Sequence, residues 1–569
     1  SVYYVNFKRI LIEMKNIFKK DWIYLLLLVG LAILTFMQVA NFRFGFFTAY
    51  DEAYFLLKLQ EAYDMSCITG KSQWNLIAVH WFPYLDLTSK VNSYLASSIL
   101  IWASILVVTI TSCILFDKKR IIKYLALAWL FMFGLGGGLS YVPMQTAVLC
   151  WALCAFLLYH KSEIVWKKSL YAVLCGICLG FSLFVIIPAA LVLLVCVAGL
   201  IVLSHWSDWR KMLLYIASGV VGVLLTCLYM HIIVCPLGDI LEAMLFTATY
   251  IGKSGYKYDG VSFILQYGLF FRDCLFVILA FVGSYWLSKR VSIKWLGGIV
   301  YVVMILVYTH YQVKPLISPS MFMMSLPLIP FLFGKINNLK WNDLKKADTW
   351  FYIFIFAYPL LASFGTNTAL SSRIHCFVVA WLFLWFELEY KYPQENYRRV
   401  YIAVLILFAM PLLDIIKAFE NRDDSYHFTR GNKHFAKIAL TEKQVNYFNN
   451  VYDILEEYNY HPKQSAVLTA CYDYCCLYAF DAVNAANYHQ VQNFHYFPKE
   501  NMIEPDFIFL CKWDSIVMGE ELKDMPWGWP EEFDRYYVGT PEPDVASWVN
   551  HADLETRHLY CRKSLKKVE

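Results

Sequence analysis

Charge is scarce in this chain. Asp, Glu, Lys and Arg make up 16% of 569 residues, 59% are hydrophobic, and mean hydropathy is +0.48. A soluble protein of this size does not need so much apolar sequence, and long apolar runs recur to about residue 416, so a soluble enzyme is excluded. A cysteine pattern for metal or redox work is also missing. The sixteen Cys fall mostly in apolar runs (Cys150, Cys154, Cys175, Cys178, Cys196, Cys227), where they act as small hydrophobes, and Cys471, Cys475 and Cys476 form no C-x-x-C. The glycine run Gly134 to Gly138 lacks the preceding strand, the following helix and the Lys-Ser/Thr ending of a phosphate loop. It fits a tight turn or close helix packing. No cleavage site follows the first apolar run, which is long enough to span a membrane. The net charge of +5 points to no nucleic-acid partner, because the basic residues sit in short loops between apolar runs.

Those runs predict a polytopic α-helical membrane protein of about thirteen spans. They lie near 22–40, 95–115, 122–139, 143–159, 169–186, 188–203, 212–233, 270–287, 295–309, 321–334, 349–363, 374–388 and 400–416. With the N-terminus inside, every inner loop is basic: Lys118 to Lys123, Lys161 to Lys168, Arg210 and Lys211, Lys289 to Lys294, Lys335 to Lys346, and Lys391 to Arg399. The outer loops are poor in base, which meets the positive-inside rule. Merging the runs around Pro188 would invert every later loop, so the split is kept. An odd count places the C-terminus outside. Residues 1–416 thus form the membrane domain, with a first outer loop at 41–94, and 417–569 a small extracytoplasmic α/β domain. In that domain Thr441 to Tyr458 reads as a helix, and Ser465 to Ala470, Asp506 to Leu510 and Arg535 to Val538 as strands. Its histidines (His461, His489, His495, His551, His558) show no metal-ligand spacing.

The most informative stretch is Asn41 to Asp64. Asp51 and Glu52 follow the first span on the side away from its basic flank, where carboxylates near lipid are costly and usually serve a site. Phe55, Leu56, Leu59 and Tyr63 share a helical face while Lys58, Glu61 and Asp64 lie elsewhere, so a short interfacial helix is expected. Plain helix capping is the alternative reading of Asp51 at its start. The same face carries Asp86 and isolated bases: Lys90, Lys253, Lys257, Arg272, Lys314 and Arg373. A carboxylate base with cations for a phosphate needs this inventory. Each base alone is equally at home as a snorkelling anchor.

This layout resembles the GT-C superfamily of membrane glycosyltransferases, in the branch of protein O-mannosyltransferases and lipid A aminoarabinose transferases. Tyr50-Asp51-Glu52-Ala53-Tyr54 is similar to that branch's acidic motif after the first span. Pro83-Tyr84-Leu85-Asp86 is similar to its Pro-Tyr-Phe-Glu segment; the Lys-Pro-Pro that follows there is Leu87-Thr88-Ser89 here, with Lys90 the nearest base. Lys314 and Ser325 to Pro330 resemble its late Lys and Leu-Pro-Leu-X-Pro helix. Its acid at the start of the fourth span is unmatched, Tyr141 to Gln145 standing there, which suggests a different donor or acceptor.

The resemblance implies transfer of a hexose or pentose from a polyprenyl-phosphate donor to a hydroxyl of a lipid, glycan or protein acceptor. The reaction is expected on the periplasmic or lumenal face, a bacterial inner membrane being the favoured setting for a cell-envelope glycan. Asp51 is then the expected general base, with Glu52 or Asp86 orienting the acceptor or holding a divalent cation (Mg or Mn), and Asp51 and Glu52 the metal candidates. Lys90, Lys253, Lys257, Lys314 and Arg373 are the candidates for the donor phosphate. The rival readings are a transporter or flippase of lipid-linked glycans, against which the absence of internal repeats speaks, a glycan polymerase or ligase, and a scaffold.

Overall fold

The computed structural model describes residues 2–44, 51–64, 73–133, 135, 137–242, 245, 260–291, 294–312, 347–365, 370–391, 425–469, 474–485, 503–510, 529–539 and 558–567. Lys253, Lys257 and Lys314 and the expected spans 321–334 and 400–416 lie outside these residues.

Among the described residues seven helices are long and apolar enough to cross a membrane: Asp21–Ala40, Lys90–Leu115, Tyr141–Lys161, Val165–Val185, Ile187–Ser204, Trp209–Val234 and Tyr267–Leu287. The chain is a polytopic helical membrane protein. Helix α1 (Val2–Ala40) bends at Asp21, where φ −119° and ψ 19° leave helical geometry. After it come α2 (Asp51–Asp64), α3 (Trp74–Trp81), α4 (Lys90–Leu115), α5 (Ile121–Met132), α6 (Tyr141–Lys161), α7 (Val165–Val185) and α8 (Ile187–Ser204). The chain continues with α9 (Trp209–Tyr229, prolonged by a π turn to Val234), α10 (Gly260–Arg290), α11 (Lys294–Gln312), α12 (Ala347–Ala362), α13 (Leu370–Ile374) and α14 (Val379–Lys391). The expected break at Pro188 is present: Ile186 is extended (φ −146°, ψ 103°), and Pro188 sits in the first turn of α8, where its missing N–H costs nothing. Two expectations need correction. The run at 122–139 is helical only to Met132, because Phe133 turns extended and leads into the glycine run. The run at 374–388 is broken by a 3-10 turn at His375–Phe377.

Helix ends gather into two faces. On one, Gln73 N donates to Phe184 O at 2.7 Å, Leu139 N to Ser93 Oγ at 2.9 Å, and Gln145 Nε2 to Ala362 O at 3.2 Å. On the other, Arg120 pairs with Asp21 at 3.3 Å, Lys123 with Glu389, and Glu387 with both Lys161 (2.8 Å) and Lys391 (3.0 Å). Alternating helix direction produces this separation, and the second face carries the loops that are rich in Lys and Arg.

Residues 425–567 build an α/β unit around α15 (Glu442–Glu457), α16 (Tyr474–Phe480) and a five-stranded sheet. Thr441 and Gln444 close a capping box at the start of α15. The strands are β1 (Ala466–Thr469), β2 (Val483–Asn484), β3 (Phe507–Leu510), β4 (Phe533–Tyr537) and β5 (His558–Arg562), in the order β2-β1-β3-β5-β4. β1 runs parallel to β2 and β3, while β5 is antiparallel to both its neighbours. β1 and β3 are buried along their whole length, as continuous apolar runs require. β2, β5 and α16 are additions to the sequence expectation.

Candidate functional site

Helix α2 joins the two parts of the molecule. Ala53, Leu56 and Leu57 enter the apolar cluster of the α/β unit, beside Phe428, Phe435 and Phe448. Leu59 and Ala62 enter the cluster of the membrane helices, beside Trp74, Met144 and Phe184, and Phe55 packs on it. The expected surface helix with one wet face is therefore corrected: α2 is covered on two opposite sides. The chain before and after it is pinned as well. Ala439 N donates to Arg43 O at 2.8 Å, Tyr478 Oη to Thr88 O at 2.6 Å, and His434 Nε2 lies 3.1 Å from Asp86 Oδ2.

Asp51 and Glu52 are the first residues of α2; their side chains fall outside the described part of the structure. Phe55, one turn after Asp51, and Lys58, two turns after it, lie on the side of α2 that meets the membrane helices. Lys58, expected off the apolar face, is only 3% exposed. Its ammonium lies 5.6 Å from the centre of the Tyr54 ring, and its backbone carbonyl accepts from Asn75 Nδ2 at 3.0 Å.

Two of the expected phosphate-binding residues are buried on the same face. Lys90, the first residue of α4, is 3% exposed; its Nζ donates to Phe44 O at 3.2 Å and lies 5.4 Å from the Tyr94 ring. Arg373, in α13, is 3% exposed, with its guanidinium carbon 4.7 Å from the Tyr141 ring. Tyr141 stands edge-on to Phe55 at 5.9 Å, Phe55 edge-on to Trp74 at 5.7 Å, and Phe55 tilts against Tyr54 at 5.5 Å. A row of rings, Tyr141, Phe55 and Tyr54, thus runs between the Arg373 and Lys58 cations. Arg272, expected in an outer loop, lies within α10 and pairs with Asp273 at 2.8 Å.

Asp86 sits apart from this row. Its Oδ1 accepts from Thr88 N at 3.2 Å and Thr88 Oγ1 at 2.5 Å, and its Oδ2 faces His434, while about half of the side chain stays exposed (49%). Burial holds the His434 pKa below the ordinary 6.5, opposed by Asp86 and Asp481 and reinforced by Lys433 and Lys437. His434 is thus largely neutral at pH 7, and Asp86 serves here to fold its own turn and to dock the α/β unit. Among the described residues no group of three His, Cys, Asp or Glu side chains is placed to hold a metal ion.

Sequence reasoning missed Lys58, Tyr141 and His434. Lys58 had a signal, the spacing Asp51, Phe55, Lys58, Ala62 at i, i+4, i+7 and i+11. Tyr141 and His434 matter through partners far away in sequence, and no local signal marks them.

No protein-family model matches the sequence, and no curated protein does. Among solved structures, the chain is similar to ArnT from Cupriavidus metallidurans bound to undecaprenyl phosphate, at 11% identity over 96% of this chain and 100% of that one, with a TM-score of 0.41. It is similar to the apo state of the same protein at 10% identity, 97% and 100% coverage, and the same TM-score of 0.41. Likeness at this level assigns neither family nor activity.

Proposed function

We propose that the chain is a membrane glycosyltransferase that moves a sugar from a polyprenyl-phosphate donor to an acceptor hydroxyl at the face where α2 lies. The observation that carries the proposal is the burial of Lys58, Lys90 and Arg373 around a helix that opens on Asp51 and Glu52. Three cations gathered around that helix offer charge-assisted hydrogen bonds to a phosphate that arrives from within the membrane. The half-buried ring row between Arg373 and Lys58 offers an aromatic wall for the sugar.

In this reading the acceptor oxygen attacks the anomeric carbon and Asp51 takes the hydroxyl proton. The bond from the anomeric carbon to the phosphate oxygen breaks, and polyprenyl phosphate leaves with its charge held by Arg373 and Lys58, joined by Lys90. Lys253, Lys257 and Lys314 remain candidates for the same phosphate, and Glu52 for orienting the acceptor. A divalent ion would add positive charge to a face that already holds three buried cations, so the proposal runs without a metal. The sugar is a hexose or pentose, the acceptor a lipid, glycan or protein, and the face periplasmic or lumenal.

The test is release of polyprenyl phosphate from a labelled lipid-linked sugar by the purified protein. Release that depends on Asp51 and Arg373 supports the reading. Movement of the intact lipid-linked sugar across vesicles without cleavage would support a flippase instead.

A further inference from the structure

Helix α1 is two helices in one run of 39 residues. Its span, Asp21–Ala40, is 20 residues long and at about 1.5 Å per residue fills the roughly 30 Å hydrocarbon core of a bilayer. The helical residues before it, Val2 to Lys20, therefore lie outside that core. The two parts meet at Asp21, where φ −119° and ψ 19° interrupt the helix. Asp21 is 1% exposed and pairs with Arg120 at 3.3 Å, so the break is tied to the basic face of the bundle.

Helical register divides the first part into two sectors. Tyr3, Phe7, Ile10, Met14 and Ile17 share one side, and Tyr4, Leu11 and Phe18 widen that side to about 140°. Every charged residue of the segment falls in the other sector: Lys8, Arg9, Lys15, Lys19 and Lys20, with Glu13 the single acid. Left in water, this helix would carry an apolar stripe about 28 Å long. A coiled-coil partner covers only the narrow seam of Tyr3, Phe7, Ile10, Met14 and Ile17, and the stripe is wider than that. The bilayer at the root of the helix covers all of it. Five cations against one acid match a leaflet of net negative charge. Lys8 and Lys15 border the apolar sector, where long stems reach from the acyl boundary to the headgroups.

We propose that Val2 to Lys20 lies in the plane of the leaflet at the basic face, its apolar sector among the acyl chains and its cations on anionic headgroups. The Asp21–Arg120 pair fixes the corner between this surface helix and the span. The segment sits at the opposite end of the span from α2, so the proposal is independent of glycosyl transfer.

The experiment places the full-length protein in nanodiscs of phosphatidylcholine, with or without phosphatidylglycerol, and reads amide hydrogen exchange of residues 2–20 by mass spectrometry. Phosphatidylglycerol should slow exchange along the segment, and about 1 M salt should remove most of that gain. The Lys8→Gln/Lys15→Gln variant should lower the protection in phosphatidylglycerol about 30-fold, at about 1 kcal/mol per cation near an anionic surface. Met14→Asp, in the middle of the apolar sector, should remove the protection while exchange in the spans stays as in the wild type, which separates a lost surface contact from a misfolded protein. Equal protection in phosphatidylcholine alone would overturn the proposal. So would protection that persists in detergent, as cover by another part of the chain requires, or protection unmoved in both variants.

Discussion

The guanidinium carbon of Arg373 lies 4.7 Å from the ring centre of Tyr141, the first residue of α6, where an acid is expected by resemblance. A guanidinium beside a ring presents planar, forked N–H donors, a geometry that an ammonium does not reproduce. Arg373→Lys should therefore reduce kcat/KM for the lipid-linked donor by about tenfold or more, despite the conserved charge. Tyr141→Phe should be mild, because the ring remains. Steady-state kinetics on the purified variants check this, and an Arg373→Lys enzyme at full activity would remove the guanidinium from donor binding.

Lys58 is predicted to act through its charge. Lys58→Met keeps much of the buried stem and removes the ammonium, so the fold should survive while donor KM rises. Binding of a labelled donor reads the change. An unaltered affinity would make Lys58 a packing residue on Tyr54.

Burial of His434 where the α/β unit docks gives that docking a pH dependence, which the neighbouring Asp86 opposes. The folded His434 pKa lies below the ordinary value, so on acidification the undocked state takes up the proton first. The stabilisation is fully present above about pH 6.5 and is lost as pH falls through the folded value. Limited proteolysis of the α/β unit should accelerate from pH 7.5 to 5.5, and His434→Asn should flatten that response. A profile unchanged by the substitution would assign the acid sensitivity elsewhere.

Gly222 and Gly176 set the crossing of α7 and α9. Gly222→Ala places a methyl 2.1 Å from Val173 O, which the backbone cannot accommodate without shifting. The expected cost is about 1–3 kcal/mol. A lower Tm in detergent with the same donor KM would show the damage to be confined to packing.

Much of the membrane part was legible in the sequence, because lipid demands long apolar runs and loop charge reports their direction. The break at Pro188 is an example, since a proline suits the first turn of a new helix, here after the extended Ile186, and the charge pattern needs the split. The short helix at Ile121–Met132 was overextended, because Phe133 and Leu135 continue the apolar run after the backbone has turned. β1 and β3 were legible as apolar runs. β5 was not, because His558 to Arg562 forms a strand only by pairing with residues about fifty and about twenty-five positions earlier. At the candidate site the acids could be read, while the burial of Lys58 could not. It follows from the packing of α2 against the membrane helices, where Asn75 of α3 reaches the Lys58 carbonyl, a tertiary event.

The decisive measurement is single-turnover release of polyprenyl phosphate from a labelled donor by wild-type protein and by Asp51→Asn. Release by the wild type and a loss of at least about 100-fold in the variant, with donor binding retained, are predicted for a general base. Equal release by both proteins would contradict Asp51 as the base, and no release by either, with acceptor supplied, would contradict glycosyl transfer itself.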